Sequence, residues 1–189
     1  MAHYDDNTII VYQAFNHQIA DFALENQRFG GPFSLNRMSW IKPNFLWMMF
    51  RCGWATKENQ ERVLAIRISR TGFDQILSHA VHSSFLASAY PDRETWQGLV
   101  ANGDVRLQWD PDHDPYGSPV ERRAIQLGLR RSILRSFAAD WIHSVSDITE
   151  YVRSQSTYLE TRNLEGLNLP SEREYPITES AAMNRLFAT

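Results

Sequence analysis

Residues 37–54 read RMSWIKPNFLWMMFRCGW, and the change of pattern inside this stretch sets the fold class. Arg37 to Lys42 (RMSWIK) predicts a strand. Pro43-Asn44 then opens a helix, predicted over Phe45 to Trp54, whose Trp, Met and Phe content marks it for burial. Working upstream, Thr8 to Ala14 (TIIVYQA) is β-branched and aromatic, so it predicts a first strand. Asn16 can cap the next helix, in which Ile19, Phe22, Ala23 and Leu24 recur at helical spacing and which Gly30-Gly31-Pro32 should stop. Downstream, Arg62 to Ser69 (RVLAIRIS) alternates, as a half-buried strand does, with Val63 and Ala65 on one face.

The rest of the chain extends this alternation. Residues 72–101 look helical with an interruption near Pro91, and Val105 to Trp109 predicts a strand. Asp110 to Pro119 (DPDHDPYGSP) predicts a loop, and Arg123 to Leu129 another strand. Ser132 to Gln155 places Ile133, Phe137, Trp141, Val145, Ile148 and Val152 on one helical face, with Asp147 and Glu150 resembling a capping pair where the helix can break and restart. The last thirty or so residues look irregular. Strands at both ends of a helical middle predict a single α+β domain over 1–189, with a mixed, split β-sheet and flanking helices.

Composition bounds the function. The 189 residues suit one domain, and a net charge of −3 argues against broad binding to nucleic acid or membrane, without excluding a local basic site. With a single cysteine, Cys52, no disulfide can form within the chain, and a reducing compartment is the simplest home. The opening MAHYDDNTII has acids where a secretion signal carries a basic region and an apolar run. No stretch reaches the ~20 apolar residues of a membrane-spanning helix. The expectation is a cytoplasmic protein with no membrane partner.

Several residue groups are candidates for chemistry. Arg37, Ser39, Trp40 and Lys42 put two cations, a hydroxyl and an indole just before a helix start, whose free N–H groups and dipole favour a phosphate. The same residues also suit an edge strand with solvated cations. Gln13, beside Tyr12 in an apolar strand, belongs either to the solvent face or to a site, because a buried amide without partners is costly. Gln126 poses the same question, and its face-mate Gly128 leaves room for a ligand or for tight packing. Asp110, Asp112, Asp114 and Glu121 fall at calcium-loop spacing, but Pro115 replaces the required glycine and a strand precedes them, so a polar turn is expected and no metal site. Asp110, following Trp109, remains able to order a site. Cys52, inside the apolar helix, reads as an inert thiol. There is no GxGxxG, P-loop, GxSxG or HExxH motif.

The strings VYQAFN, RMSWIKPNFLWMMFRCGW, LAIRISRTGF, VRLQWDP and RAIQLGL together resemble the domain-of-unknown-function family 4291, from about Tyr4 to about Pro176. Its name implies no activity. At the level of strand order the chain is also similar to the catalytic core of ADP-ribosyltransferases, which bind NAD in the cleft of a split mixed sheet. That resemblance places Gln13 where a His or Arg is usual on the first strand, and Ser39 or Trp40 where a Ser or Tyr is usual on the second. Gln126 or Glu121 stands where a later strand carries Glu. It implies NAD as substrate, with Arg37, Lys42 and Arg123 at phosphate, Trp40 or Tyr12 stacking on a ring, and Gln126 or Glu121 catalytic at the ribose. The acceptor would be RNA or protein. The alternative is a non-catalytic module that binds RNA or a nucleotide through the same basic and aromatic residues.

Overall fold

A computed structural model describes residues 1–177 and Leu186. The chain runs β1 (Thr8–Phe15), α1 (His17–Asn26), β2 (Ser39–Ile41), α2 (Phe45–Cys52), β3 (Arg62–Ser69), α3 (Arg70–Ser78) and β4 (Ala80–His82). It continues with α4 (Arg93–Asn102), β5 (Val105–His113), β6 (Pro119–Leu129), α5 (Arg131–Ala138), β7 (Ile142–Asp147) and α6 (Thr149–Glu160), followed by one short 3-10 turn at Leu164–Gly166. The segment to Ile177 is otherwise irregular apart from a bridge between Ala2 and Arg173, and the remainder of the expected irregular tail lies outside the described residues.

The result is an α+β domain whose sheet is split in two. One sheet has the order β1-β3-β7 and is antiparallel throughout. The other has the order β2-β6-β5-β4 and is mixed, because β4 lies parallel to β5. The two touch where Tyr12 N donates to Lys42 O at 2.7 Å and Lys42 N donates back to Tyr12 O at 3.2 Å. Both faces of the first sheet are covered. Tyr12 and Val63 pack with Phe45, Met48 and Met49 of α2 and Val152 of α6. Ile9, Val11, Leu64, Ile66 and Ile68 join Phe73 of α3, Phe137 of α5 and the apolar side of the second sheet.

The two helices that frame the site start where the sequence puts their caps. Asn16 accepts from Ile19 N at 3.1 Å and Asn44 from Trp47 N at 2.7 Å. Such caps satisfy backbone donors that the first turn leaves orphaned. The ends differ from expectation. α1 stops at Gln27 in the left-handed region, before Gly30-Gly31-Pro32, and α2 ends at Cys52 because Gly53 turns left-handed with φ 58°.

Other expectations need correction. β3 is not half-buried: Val63, Leu64, Ile66 and Ile68 are all buried, since it is the middle strand of a sheet covered on both faces. The predicted strand at 37–42 narrows to Ser39–Ile41. The helical stretch 72–101 contains β4, too short to register as a pattern. The loop 110–119 is mostly hairpin. β5 runs through a register shift between Pro111 and His113, and only the turn around Asp114 is loop, with Asp114 Oδ1 accepting from Tyr116 N and Ser118 N. Proline and aspartate are poor strand formers, so the composition there disguised a strand. The long helix at 132–155 is α5, β7 and α6. Phe137 is buried on α5, whereas Val145 is on β7 opposite Ile66. Near-four-residue spacing imitated one helix across three elements.

Candidate functional site

A cavity of about 840 Å³ opens between the two sheets. Gln13 reaches it from the end of β1, and Asn16 and Ile19 from the start of α1. Ser39 and Trp40 come from β2, Gln108 and Asp110 from β5, and Gln126 from β6. α2 contributes Trp47, Met48 and Arg51, and the loop entering β2 contributes Phe33, Arg37 and Met38. Strand pairing explains the convergence. Gln108 stands directly opposite Gln126, and Trp40 directly opposite Gly128.

Hydrogen bonds fix the polar groups. Gln13 Nε2 donates to Ser39 Oγ at 2.8 Å and to Trp40 O at 3.0 Å, which leaves Gln13 Oε1 buried without a partner among the described residues. Gln108 Nε2 and Gln126 Nε2 donate to the two oxygens of Asp110, at 2.9 and 2.8 Å. The carboxylate is therefore oriented by two amides at the cavity wall. Trp40 and Met38 lie where a side chain at position 128 would stand: a Cβ on Gly128 would sit 2.5 Å from Met38 Sδ and 3.0 Å from the Trp40 ring. The small residue thus serves packing of the indole rather than open space.

The charges are unbalanced. Arg37, Lys42 and Arg51 line the cavity, and none makes an ion pair with a described residue. Arg37 and Arg51 are exposed, while Lys42 is only 6% exposed. Burial, and then the charge of Arg51, hold the Lys42 ammonium down at about 8. Asp110 and Glu58 are the acids on the wall. No cluster of three or more His, Cys, Asp or Glu able to hold a metal exists among the described residues.

Three residues expected at the site stand elsewhere. Tyr12 is buried behind it, edge-on to Phe45 with ring centroids 5.4 Å apart, and burial pushes its phenol far up. Arg123 donates to Trp109 O at 2.7 Å and lines a separate apolar cavity. Glu121 is exposed on β6 and does not line the cavity. The N-terminus of α2, expected to hold a phosphate, is filled by the protein itself. Glu172 accepts from Phe45 N at 2.6 Å and from Asn44 Nδ2 at 2.7 Å. Burial pushes that carboxyl up to about 7. The site also holds residues the sequence reading did not nominate: Gln108, Trp47 and Arg51. Gln108 carried the same signal as Gln13 and Gln126, a polar amide inside an apolar strand. Trp47 and Arg51, one helical turn apart, carried none beyond a buried-helix pattern.

Fold and cavity together define an α+β domain built around a polar, tryptophan-walled cleft between two sheets. The profile of the family described as "Domain of unknown function (DUF4291)" matches residues 1–175, and the chain belongs to that family. No curated protein matches the chain. Among the described residues no helix is long and apolar enough to cross a membrane.

Proposed function

We propose that the chain binds NAD in this cavity and transfers its ADP-ribose to an RNA or protein acceptor, in the manner of ADP-ribosyltransferases. One observation carries the reading: Gln13 on β1 and Ser39 on β2 are hydrogen-bonded where the two sheets meet, and both line the cavity with the Asp110–Gln126 pair. The resemblance puts site residues of those enzymes on their first and second strands, and that is what supports the reading. Trp40 offers a ring face and the cations meet the pyrophosphate. As the ribose–nicotinamide bond breaks, its electron pair goes to the nicotinamide nitrogen and positive charge develops on the ribose. The Asp110 carboxylate, held by Gln126 and Gln108, accepts a ribose hydroxyl and stabilises that charge. The acceptor then bonds to the ribose carbon and loses its proton. Glu121, outside the cavity, has no role in this scheme.

The test is nicotinamide release and thermal shift with NAD. Asp110→Asn should lower turnover while sparing binding, since it weakens an interaction made mainly in the transition state. Absence of both a shift at millimolar NAD and nicotinamide release with cell-extract acceptors overturns the reading. A second reading, a non-catalytic nucleotide or RNA binder, is favoured by the fact that both Asp110 oxygens already accept amide hydrogen bonds. A shift with RNA oligonucleotides and none with NAD selects it.

A further inference from the structure

We propose that Lys42 and Arg51 form the phosphate subsite of this cavity, and that an arriving phosphate draws a proton onto Lys42. The inference rests on the reading that the cavity takes a nucleotide. Lys42 is the one buried charged side chain on the cavity wall among the described residues, and no carboxylate pairs with it. The acid that bears on it, Asp110, has both oxygens engaged by amides. Arg51 adds a second positive charge from α2. A fold gains nothing from burying the Lys42 ammonium beside a second cation unless something else neutralises it.

A second observation fixes Arg51 at this wall. Trp47 is 4% exposed, lines the cavity, and has an indole N–H with no acceptor among the described residues. It sits one helical turn before Arg51, whose guanidinium lies 5.9 Å from its ring. The Lys42 ammonium and the Arg51 guanidinium are donors at the cavity wall that make no hydrogen bond to a described residue. Their complement is an anion with several acceptor oxygens, a phosphate or diphosphate.

The proton follows from the neighbours of Lys42. Arg51 and Cys52 face it from α2, Asp110 from β5, and Tyr12, paired with it through the backbone, from β1. Burial raises both the Cys52 thiol and the Tyr12 phenol, which disfavours their charged forms. With its amine near 8, Lys42 is largely neutral at pH 9, and an anion beside it restores the ammonium.

Calorimetry of inorganic pyrophosphate, inorganic phosphate and ADP binding to the whole chain at pH 9, in two buffers of different ionisation enthalpy, reads both parts. Binding heats that differ between buffers by the equivalent of proton uptake are expected. Pyrophosphate and ADP binding with free phosphate silent identifies a diphosphate site; phosphate binding as well identifies a single-phosphate site. Lys42→Met should weaken binding at least tenfold and abolish the buffer dependence. Lys42→Arg should bind without it, and Arg51→Ala should bind more weakly but keep it. No binding of any of the three anions, equal binding by Lys42→Met, or buffer-independent heat for the unaltered chain overturns the proposal. If Lys42→Met fails to fold, Lys42→Arg carries the test. Proton-coupled pyrophosphate binding without nicotinamide release from NAD leaves the subsite standing and removes the transferase. Nicotinamide release unaltered in Lys42→Met does the reverse.

Discussion

The side-chain amide of Gln13 donates to the hydroxyl of Ser39 at 2.8 Å, and so joins β1 of one sheet to β2 of the other. The bond uses the donor end of the amide and leaves its acceptor oxygen buried, without a partner among the described residues. Gln13→Ala should lower stability by about 1–2 kcal/mol, the usual scale for a lost hydrogen bond, and should abolish any thermal shift with NAD. Denaturant unfolding and a thermal-shift titration read the two effects. An undiminished shift would remove Gln13 from the site.

Gly128→Ala should disturb the indole wall. The added methyl would sit 2.5 Å from Met38 Sδ and 3.0 Å from the Trp40 ring, so both must shift. Overpacking of this kind costs about 1–3 kcal/mol. Tryptophan fluorescence should change together with the unfolding midpoint. If both stay as in the unaltered chain, Trp40 does not lie over this position.

Lys42→Met should stabilise the ligand-free protein at pH 7. The folded state holds the amine at about 8 against an ordinary 10.5, so below pH 8 the ammonium is present in both states and its burial opposes folding in full. Between 8 and 10.5 the unfolded chain binds more protons, and the unaltered protein gains stability as the pH rises. The advantage of Lys42→Met should be roughly 3 kcal/mol at pH 7 and should shrink toward pH 10. Equal unfolding midpoints at pH 7 would contradict this.

Glu172 predicts the opposite slope at lower pH. Its carboxyl is held at about 7 against an ordinary 4.5, so the folded state binds more protons in that window and stability from this group falls as the pH rises through it. Glu172→Gln lacks the titration. Melting temperatures from pH 4.5 to 8 should show the unaltered chain losing ground to the variant, and a difference that stays constant would refute the assignment.

Phe137→Ala should cost about 3–5 kcal/mol. The ring is fully buried and stacks on Phe29 with centroids 5.8 Å apart. A melting temperature unchanged by the substitution would exclude it from the core.

What was legible in the sequence was local. Asn16 and Asn44 announce their helices because a cap acts three residues ahead, and Thr8–Phe15 announces a strand because β-branched residues fill it. β7 was hidden because Phe137, Trp141 and Val145 share a helical spacing although only Phe137 is in a helix. The family was readable from RMSWIKPNFLWMMFRCGW together with VYQAFN, LAIRISRTGF, VRLQWDP and RAIQLGL, and the family match agrees with it. Gln13 on β1 and Gln126 on β6 could be nominated as amides in apolar strands, and Ser39 and Trp40 on β2 as part of a basic and aromatic cluster before a helix start. Glu172 could not, since it acts on Phe45 from 127 residues away and nothing near it in the chain marks that partner.

The pairing of β2 with β6 sets an order of events on the ribosome. Ser39 pairs opposite Leu129, so the strand that presents Ser39 and Trp40 has no neighbour in its sheet until the β5–β6 hairpin has emerged. β3 keeps one edge bare until Ile142–Asp147 follows. Such distant pairings form slowly because long loops must close first. A nascent chain halted before Ile142 presents an open β-edge on the strand of Leu64, Ile66 and Ile68, which invites pairing with another chain. The cleft is thus among the last parts of the molecule to exist, and synthesis that stalls in this window yields an aggregating fragment rather than a partial binder.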